Sequence, residues 1–299
     1  MSTFSQTPYG QRRLNALPLV GQERALPSDA FVIEALVGDS QAAGFETGLT
    51  LLDGIPVAAD GGLIWNKWSP GASLGRLDNT DIGTAFVPIT ANLGTSITDI
   101  GPEVTLGATR AKRFRPGRYG LVKCAVSGAD VGLPAAGVTS ALNPITPGAL
   151  FEGLIEGHLK PAVRWCYANN LHPYLGAIYL SIGGADSIGA VERAMSFSAN
   201  LITWARGFAT RMGLLRMPLT LVLEVPTDIP SATYTNMDVL RAQYKYIRGR
   251  PPFRLLDYST LLRQADAVHL TAQGQYDLGI MLAESISTLY GELQHVDNF

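Results

Sequence analysis

The sequence predicts an α/β protein: a three-layer α/β/α sandwich around a central, mainly parallel sheet of five strands. Three observations carry this. Five short apolar runs recur along the chain, most of them closed by Gly, Pro or Ser. Stretches with apolar residues at helical spacing separate them. The chain is long and weakly charged, with 299 residues, 46% of them hydrophobic and 16% charged. Short runs bounded by turn residues fit strands buried on both faces. Their alternation with helices implies right-handed crossovers that lay helices on both sides of the sheet. A chain of this size and apolarity buries a sizeable core and is not a disordered tail.

In order along the chain, residues 1–28 read as an arm. They lack clear periodicity and contain Pro8, Gly10, Pro18 and Pro27. A single domain over 29–299 follows. Its first strand is Phe31 to Val37, ending at Gly38. Residues 45–100 lose the strand–helix rhythm and are rich in Gly, Thr and Asp, which predicts a long irregular excursion over the carboxyl edge of the sheet. A helix is expected over 103–112 and a second strand over 119–126, closed by Ser127-Gly128. A helix over 149–169 carries Pro161, which predicts a kink or break. The third strand, 175–182, ends at Gly183-Gly184. Then come a helix over 189–212, a strand over 219–225 closed by Pro226, a helix over 235–247, and a weaker strand over 253–256. Thr271 is the expected N-cap of a last helix running to about 293.

The net charge of −2 supplies no basic field for nucleic acid or an anionic membrane. The clusters Arg110–Arg118 and Arg241–Arg254 read as solvated surface. Cys124 and Cys166, on a strand and a helix respectively, are expected to be buried free thiols. No apolar run is long enough for a membrane helix, and no export signal is visible at the N-terminus, so a soluble chain is expected with its compartment open. There is no GxxxxGK[ST] loop, no GxGxxG turn after a strand, and no CxxC, HExxH or DxDxDG spacing. Neither a nucleotide cofactor nor a metal site is expected.

Two segments carry chemistry. The first strand runs into Gly38-Asp39-Ser40-Gln41. A serine just after a buried strand, among small residues, can stand on a tight strand-to-helix turn with its hydroxyl and its own N–H facing the crevice. The residues alone equally allow a helix N-cap. Near the other end stands Asp266-Ala267-Val268-His269. An Asp three residues before a His, on a loop before a helix, can hydrogen-bond Nδ1 and turn Nε2 outward as a general base. The remaining histidines, His158, His172 and His295, lie in a helical stretch, beside a proline and in the terminal tail, and read as structural or surface residues.

A serine after the first strand together with DxxH before the last helix resembles the SGNH (GDSL) hydrolase superfamily, a flavodoxin-like fold. The likeness is nearest to its branch of sialate O-acetylesterases and acetylxylan esterases. Gly101-Pro102-Glu103 is similar to that branch's GPE signature, the strand ending at Gly128 to its glycine turn, and Tyr174 to Asp186 to its strand ending in Gln-Gly-Glu-x-Asp. Arg241-Ala242-Gln243 and Asp257 continue the likeness, which spans about residues 31–283.

The resemblance implies an esterase that removes acetyl groups, with Ser40 as nucleophile, His269 as base and Asp266 as its orienting partner. It implies an oxyanion hole formed by the N–H groups of Ser40 and Gly128. The chain departs from the pattern at the third donor, because Ile182 stands where the branch has Gln, Gly184 where it has Glu, and Ala185 where related enzymes have Asn. Neither Ile nor Ala donates a side-chain hydrogen bond. Gly183, Gly184 or Ser181 could stand in, and Asp186 reads as the N-cap of the next helix.

The implied partner is a small-molecule or polysaccharide ester, with Trp65, Trp68, Tyr234 and Tyr258 able to stack on sugar rings if exposed and otherwise packing in the core. A second reading makes the same fold a structural or binding component of a surface or virion assembly, or a homo-oligomer, held through the N-terminal arm. The three triad residue types at matching positions favour the enzyme.

Overall fold

The computed structural model describes residues 26–44, 62–65, 84–89, 101–132, 142–144, 149–229, 234–288 and 294–297. Residues 1–25 of the expected arm, Trp68 and most of the 45–100 excursion lie outside these.

Five parallel strands form the centre: β1 (Ala30–Gly38), β4 (Tyr119–Ala125), β5 (His172–Ser181), β6 (Thr220–Glu224) and β7 (Phe253–Asp257). They match the five expected runs. Their order in space is β4-β1-β5-β6-β7. The sheet is nevertheless wider than five strands. β2 (Leu63–Trp65) pairs parallel with β4, and β3 (Phe86–Pro88) pairs antiparallel with β2. Both come from the excursion, where runs of three residues are too short to register as periodicity. β8 (Gln294–His295) pairs antiparallel with the amino end of β5, a stretch that β6 does not reach.

β1 is buried at all nine positions, as a central strand covered on both faces must be. Phe31, Ile33, Ala35 and Val37 face one core, and Leu36 faces the other. The first core is covered by α3 (Ala149–Glu152), α4 (Lys160–Ala168), α5 (Val191–Arg211) and α6 (Met237–Ile247). The second is covered by α2 (Glu103–Ala111) and α7 (Ala272–Thr288), with the four-residue α1 (Ser40–Ala43) at its end. Three layers result.

Thr271 caps α7 as expected, its Oγ1 accepting from the Gly274 N–H at 3.1 Å. Residues 289–293 of that expected helix lie outside the described residues. Between α3 and α4 the chain widens into a π-helical segment, Gly153–Leu159, directly before Pro161. The missing proline N–H and the bulk of its ring disturb the preceding turn, so the helix changes form there and continues.

Arg110 corrects the expectation of a solvated basic face. It is buried, and its guanidinium grips the buried Glu34 carboxylate at 2.7 and 3.1 Å. Tyr119 and Tyr179 donate to the same carboxylate at 3.1 and 2.7 Å. A charge inside an apolar strand persists only when saturated in this way. Cys124 and Cys166 are both buried thiols, not joined to each other. Among the described residues, no helix is long and apolar enough to cross a membrane.

Candidate active site

After β1 the chain places β2, β3 and β4 on one side of it and β5, β6 and β7 on the other, so the strand order switches between β1 and β5. In open sheets that switch opens a crevice at the carboxyl ends of the strands. Ser40 stands there, at the exit of β1.

The turn that holds it is dictated by close packing. Gly38 adopts φ 136°, and a Cβ there would lie 1.8 Å from the Ser181 carbonyl oxygen, so only glycine lets β1 and β5 approach. The Gly38 carbonyl accepts from Val126 at 2.8 Å, and the Asp39 N–H donates to Ser181 O at 2.9 Å. Asp39 caps α1, accepting from the Gln41 N–H at 3.1 Å and from Ser181 Oγ at 2.6 Å. Asp39 is half-buried, with its carboxyl turned inward onto Ser181. Burial pushes that carboxyl above its ordinary value, against the hydrogen bonds that oppose it.

The second segment builds itself. Asp266 Oδ1 accepts from the N–H groups of Val268 and His269, both at 2.9 Å. This closes a turn in which Ala267 takes φ 58°. Gln264 donates its N–H to His269 O at 2.7 Å and its side-chain amide to Leu270 O at 3.1 Å. Asp266 Oδ2 is then left 2.5 Å from His269 Nδ1. Burial, the largest single influence, raises the Asp266 carboxyl, but hydrogen bonds from the His269 ring and the two backbone N–H groups together outweigh it and hold it below its ordinary value.

The two segments meet. His269 Nε2 lies 3.0 Å from Ser40 Oγ, across 229 residues of chain. The arrangement can pass a proton from hydroxyl to imidazole while the carboxylate fixes the ring and its tautomer. Gln41 joins them mechanically. Its side-chain amide donates to Val268 O at 2.6 Å and accepts from the Leu270 N–H at 3.3 Å. Sequence reasoning missed Gln41. The only available signal was its place directly after the serine, which points an amide toward whatever faces the turn.

Gly128 follows β4 in a left-handed conformation, φ 75°, with open space where a Cβ would stand. Asp186 does not cap α5, whose N-cap is Ala190. It lies instead in a buried 3₁₀ turn, Ala185–Ser187, and both its oxygens accept from the Val131 N–H at 3.3 and 3.4 Å. It ties the turn after β5 to the stretch carrying Gly128. Burial and the neighbouring Asp130 carboxylate raise it to about 7. Asp130 itself pairs with Arg193.

Ser181 is withdrawn as a stand-in donor, because its hydroxyl is committed to Asp39. Ile182 is buried. Trp65 and Tyr258 are buried and offer no face to a sugar, whereas Tyr234 is half-buried. His172 pairs with Asp29 at the amino end of β5, and His295 lies beside it, against Tyr167. Both are a strand's length from Ser181. His158 is buried in the π-helical segment. Among the described residues, no group of three or more His, Cys, Asp or Glu could hold a metal ion.

The family model for carbohydrate esterases described as sialic acid-specific acetylesterases matches residues 66–288, about three quarters of the chain. The match includes Asp266 and His269 and begins after Ser40. Among solved structures, the chain is similar to NanS, with a TM-score of 0.60 at 12% identity over 87% of this chain and 97% of that one. It is similar to a protein from Arabidopsis thaliana, with a TM-score of 0.58 at 16% identity over 87% and 98%. A carbohydrate acetylesterase from Xanthomonas citri gives 0.50 at 15% identity, covering 86% of this chain and 55% of that chain. At these identities the likeness shows the fold. No curated protein matches the sequence.

Proposed function

The chain belongs to the sialic acid-specific acetylesterase family of carbohydrate esterases, and is thereby a carboxylic ester hydrolase; from that premise we propose that it removes O-acetyl groups from a carbohydrate through a serine-bound acyl-enzyme. The observation that supports this most is the relay from Ser40 through His269 to Asp266, with a link of 3.0 Å between segments 229 residues apart and one of 2.5 Å within the second segment. A chain using the fold only as an assembly component has no chemical reason to keep that alignment.

In this reading Ser40 Oγ attacks the acetyl carbonyl carbon as its proton moves to His269 Nε2. The carbonyl electrons move onto oxygen. The resulting oxyanion is met by the N–H groups of Ser40 and Gly128, with Gly183 and Gly184 as further backbone candidates. One well-placed donor of this kind is worth about 3 kcal/mol of barrier lowering. The tetrahedral intermediate collapses, the C–O bond to the sugar breaks, and the departing alkoxide takes the proton from His269. Water then attacks the acetyl-serine, giving its proton to the same nitrogen, and acetate leaves as Ser40 is reprotonated. Asp266 stays ionised and steadies the imidazolium in both halves.

The test is hydrolysis of an aryl acetate and of acetylated sugars, compared with Ser40→Ala. The variant is expected to lose about 10⁴-fold or more in kcat and to keep its melting temperature. Equal activity of wild type and variant would remove Ser40 from the mechanism.

A further inference from the structure

The turn after β5 lacks the side-chain donor expected of the superfamily, and another side chain covers it. Residues 234–236, just before α6, are fastened to the 3₁₀ turn by one acceptor. The Ser187 carbonyl accepts from Thr235 Oγ1 at 3.2 Å, from Asn236 Nδ2 at 3.0 Å and from the Asn236 N–H at 3.0 Å. Ser187 Oγ in turn donates to Gly184 O at 2.7 Å. These bonds fix Tyr234 against Gly184. A Cβ built on that glycine would meet Tyr234 Oη at 2.9 Å and Cζ at 3.1 Å. The glycine at 184 and the tyrosine at 234 therefore form one device, in which loss of the side chain at one position makes room for the phenol of the other.

We propose that the Tyr234 hydroxyl donates the side-chain hydrogen bond to the acyl oxygen that Ile182 and Ala185 cannot supply, making Tyr234 a catalytic residue of the deacetylation. The inference rests on the reading of Ser40 as nucleophile. The hydroxyl has no hydrogen-bond partner among the described residues, so its proton is available to a ligand. Its ring is half-buried and packs against the core. The hydroxyl sits within electrostatic reach of both Asp39, next to Ser40, and Asp266, next to His269. Those carboxylates belong to the two segments that meet at Ser40 and His269. Burial, reinforced by those two carboxylates, holds the phenol well above its ordinary value, so it stays a neutral donor wherever the imidazole works. A neutral donor at the place where negative charge develops helps most in the transition state, when the carbonyl oxygen becomes an oxyanion.

Tyr234→Phe removes only the hydroxyl. It is expected to lower kcat on an aryl acetate about ten- to a hundred-fold with KM nearly unchanged. Affinity for an alkylboronic acid, which forms a tetrahedral adduct on serine, should fall by a similar factor. Gly184→Ala, whose new methyl displaces the ring, should lower kcat comparably in the wild-type background and little further in Tyr234→Phe. An unchanged kcat in Tyr234→Phe, or a rise in KM alone, overturns the assignment and makes the phenol a substrate contact or a packing group. Labelling of Ser40 by a fluorophosphonate, run in parallel, separates the two readings. If Ser40 labels and Ser40→Ala is inactive while Tyr234→Phe is fully active, only the tyrosine assignment fails. If Ser40→Ala is active, the nucleophile assignment has failed.

Discussion

Ser40 stands on a turn fastened to the sheet, whereas His269 stands on a loop that holds itself together. The first is fixed by close approach of two central strands at Gly38 and Ser181, by the inward Asp39 carboxyl, and by Val126 on the far side. The second is fixed mainly by hydrogen bonds within residues 264–270, with Gln41 reaching it from the first, and its side chains are more open, with 44% of the Asp266 side chain exposed. The two carboxylates reflect this. The enclosed Asp39 is pushed up by burial, while the exposed Asp266 is held down by its donors. The Ser40 hydroxyl is thus placed by the core and the His269 ring mainly by local turn chemistry, with Gln41 linking the two.

Breaking the local side gives the largest effect. Asp266→Asn keeps an oxygen for the backbone N–H groups of Val268 and His269 but can turn an NH₂ toward Nδ1, which forces the wrong tautomer. The expected result is a fall in kcat of about 10³- to 10⁴-fold with the melting temperature hardly moved. A loss below ten-fold would mean that the loop backbone alone orients the ring.

The sheet side is sharpened by pH. Because the folded-state Asp39 carboxyl lies above its unfolded value, the native chain binds the extra proton between the two. Its contribution to stability is complete below the unfolded value, near 3.9, and is lost as pH rises through the folded one. Asp39→Asn keeps an acceptor for Ser181 and Gln41 without the charge. Melting curves from pH 4 upward should show a shallower decline for the variant than for wild type, and parallel curves would contradict the assignment.

The smallest effect belongs to Ala267, whose left-handed backbone costs an L-residue about 1 kcal/mol. Ala267→Gly should raise stability by about 0.5 kcal/mol, read as a higher melting temperature, with activity within two-fold. A lower melting temperature would show that no strain is stored there.

Much of this was legible in the sequence, for reasons that differ by residue. The five parallel strands were readable because burial on both faces makes a strand apolar throughout. The meeting of Ser40, Asp266 and His269 was foreseeable because the proposed chemistry constrains local spacing. Glu34 inside the first strand was not interpretable, since its partners Arg110, Tyr119 and Tyr179 come from three distant elements. Asp186 was misread as a cap because a carboxylate before a helix fits one locally, and only the fold brings Val131 to it. β2 and β3 are too short for their pattern to emerge, and their pairing is decided by the neighbouring β4.

The Gln41 amide bond to Val268 closes a loop of 227 residues. Closing so long a loop costs little more entropy than closing one half its length, because the penalty grows only logarithmically. The consequence is one of timing. During synthesis the glutamine must wait until the ribosome has delivered 227 more residues before its carbonyl partner exists. Until then, in the proposed mechanism, the Ser40 hydroxyl has no imidazole to take its proton.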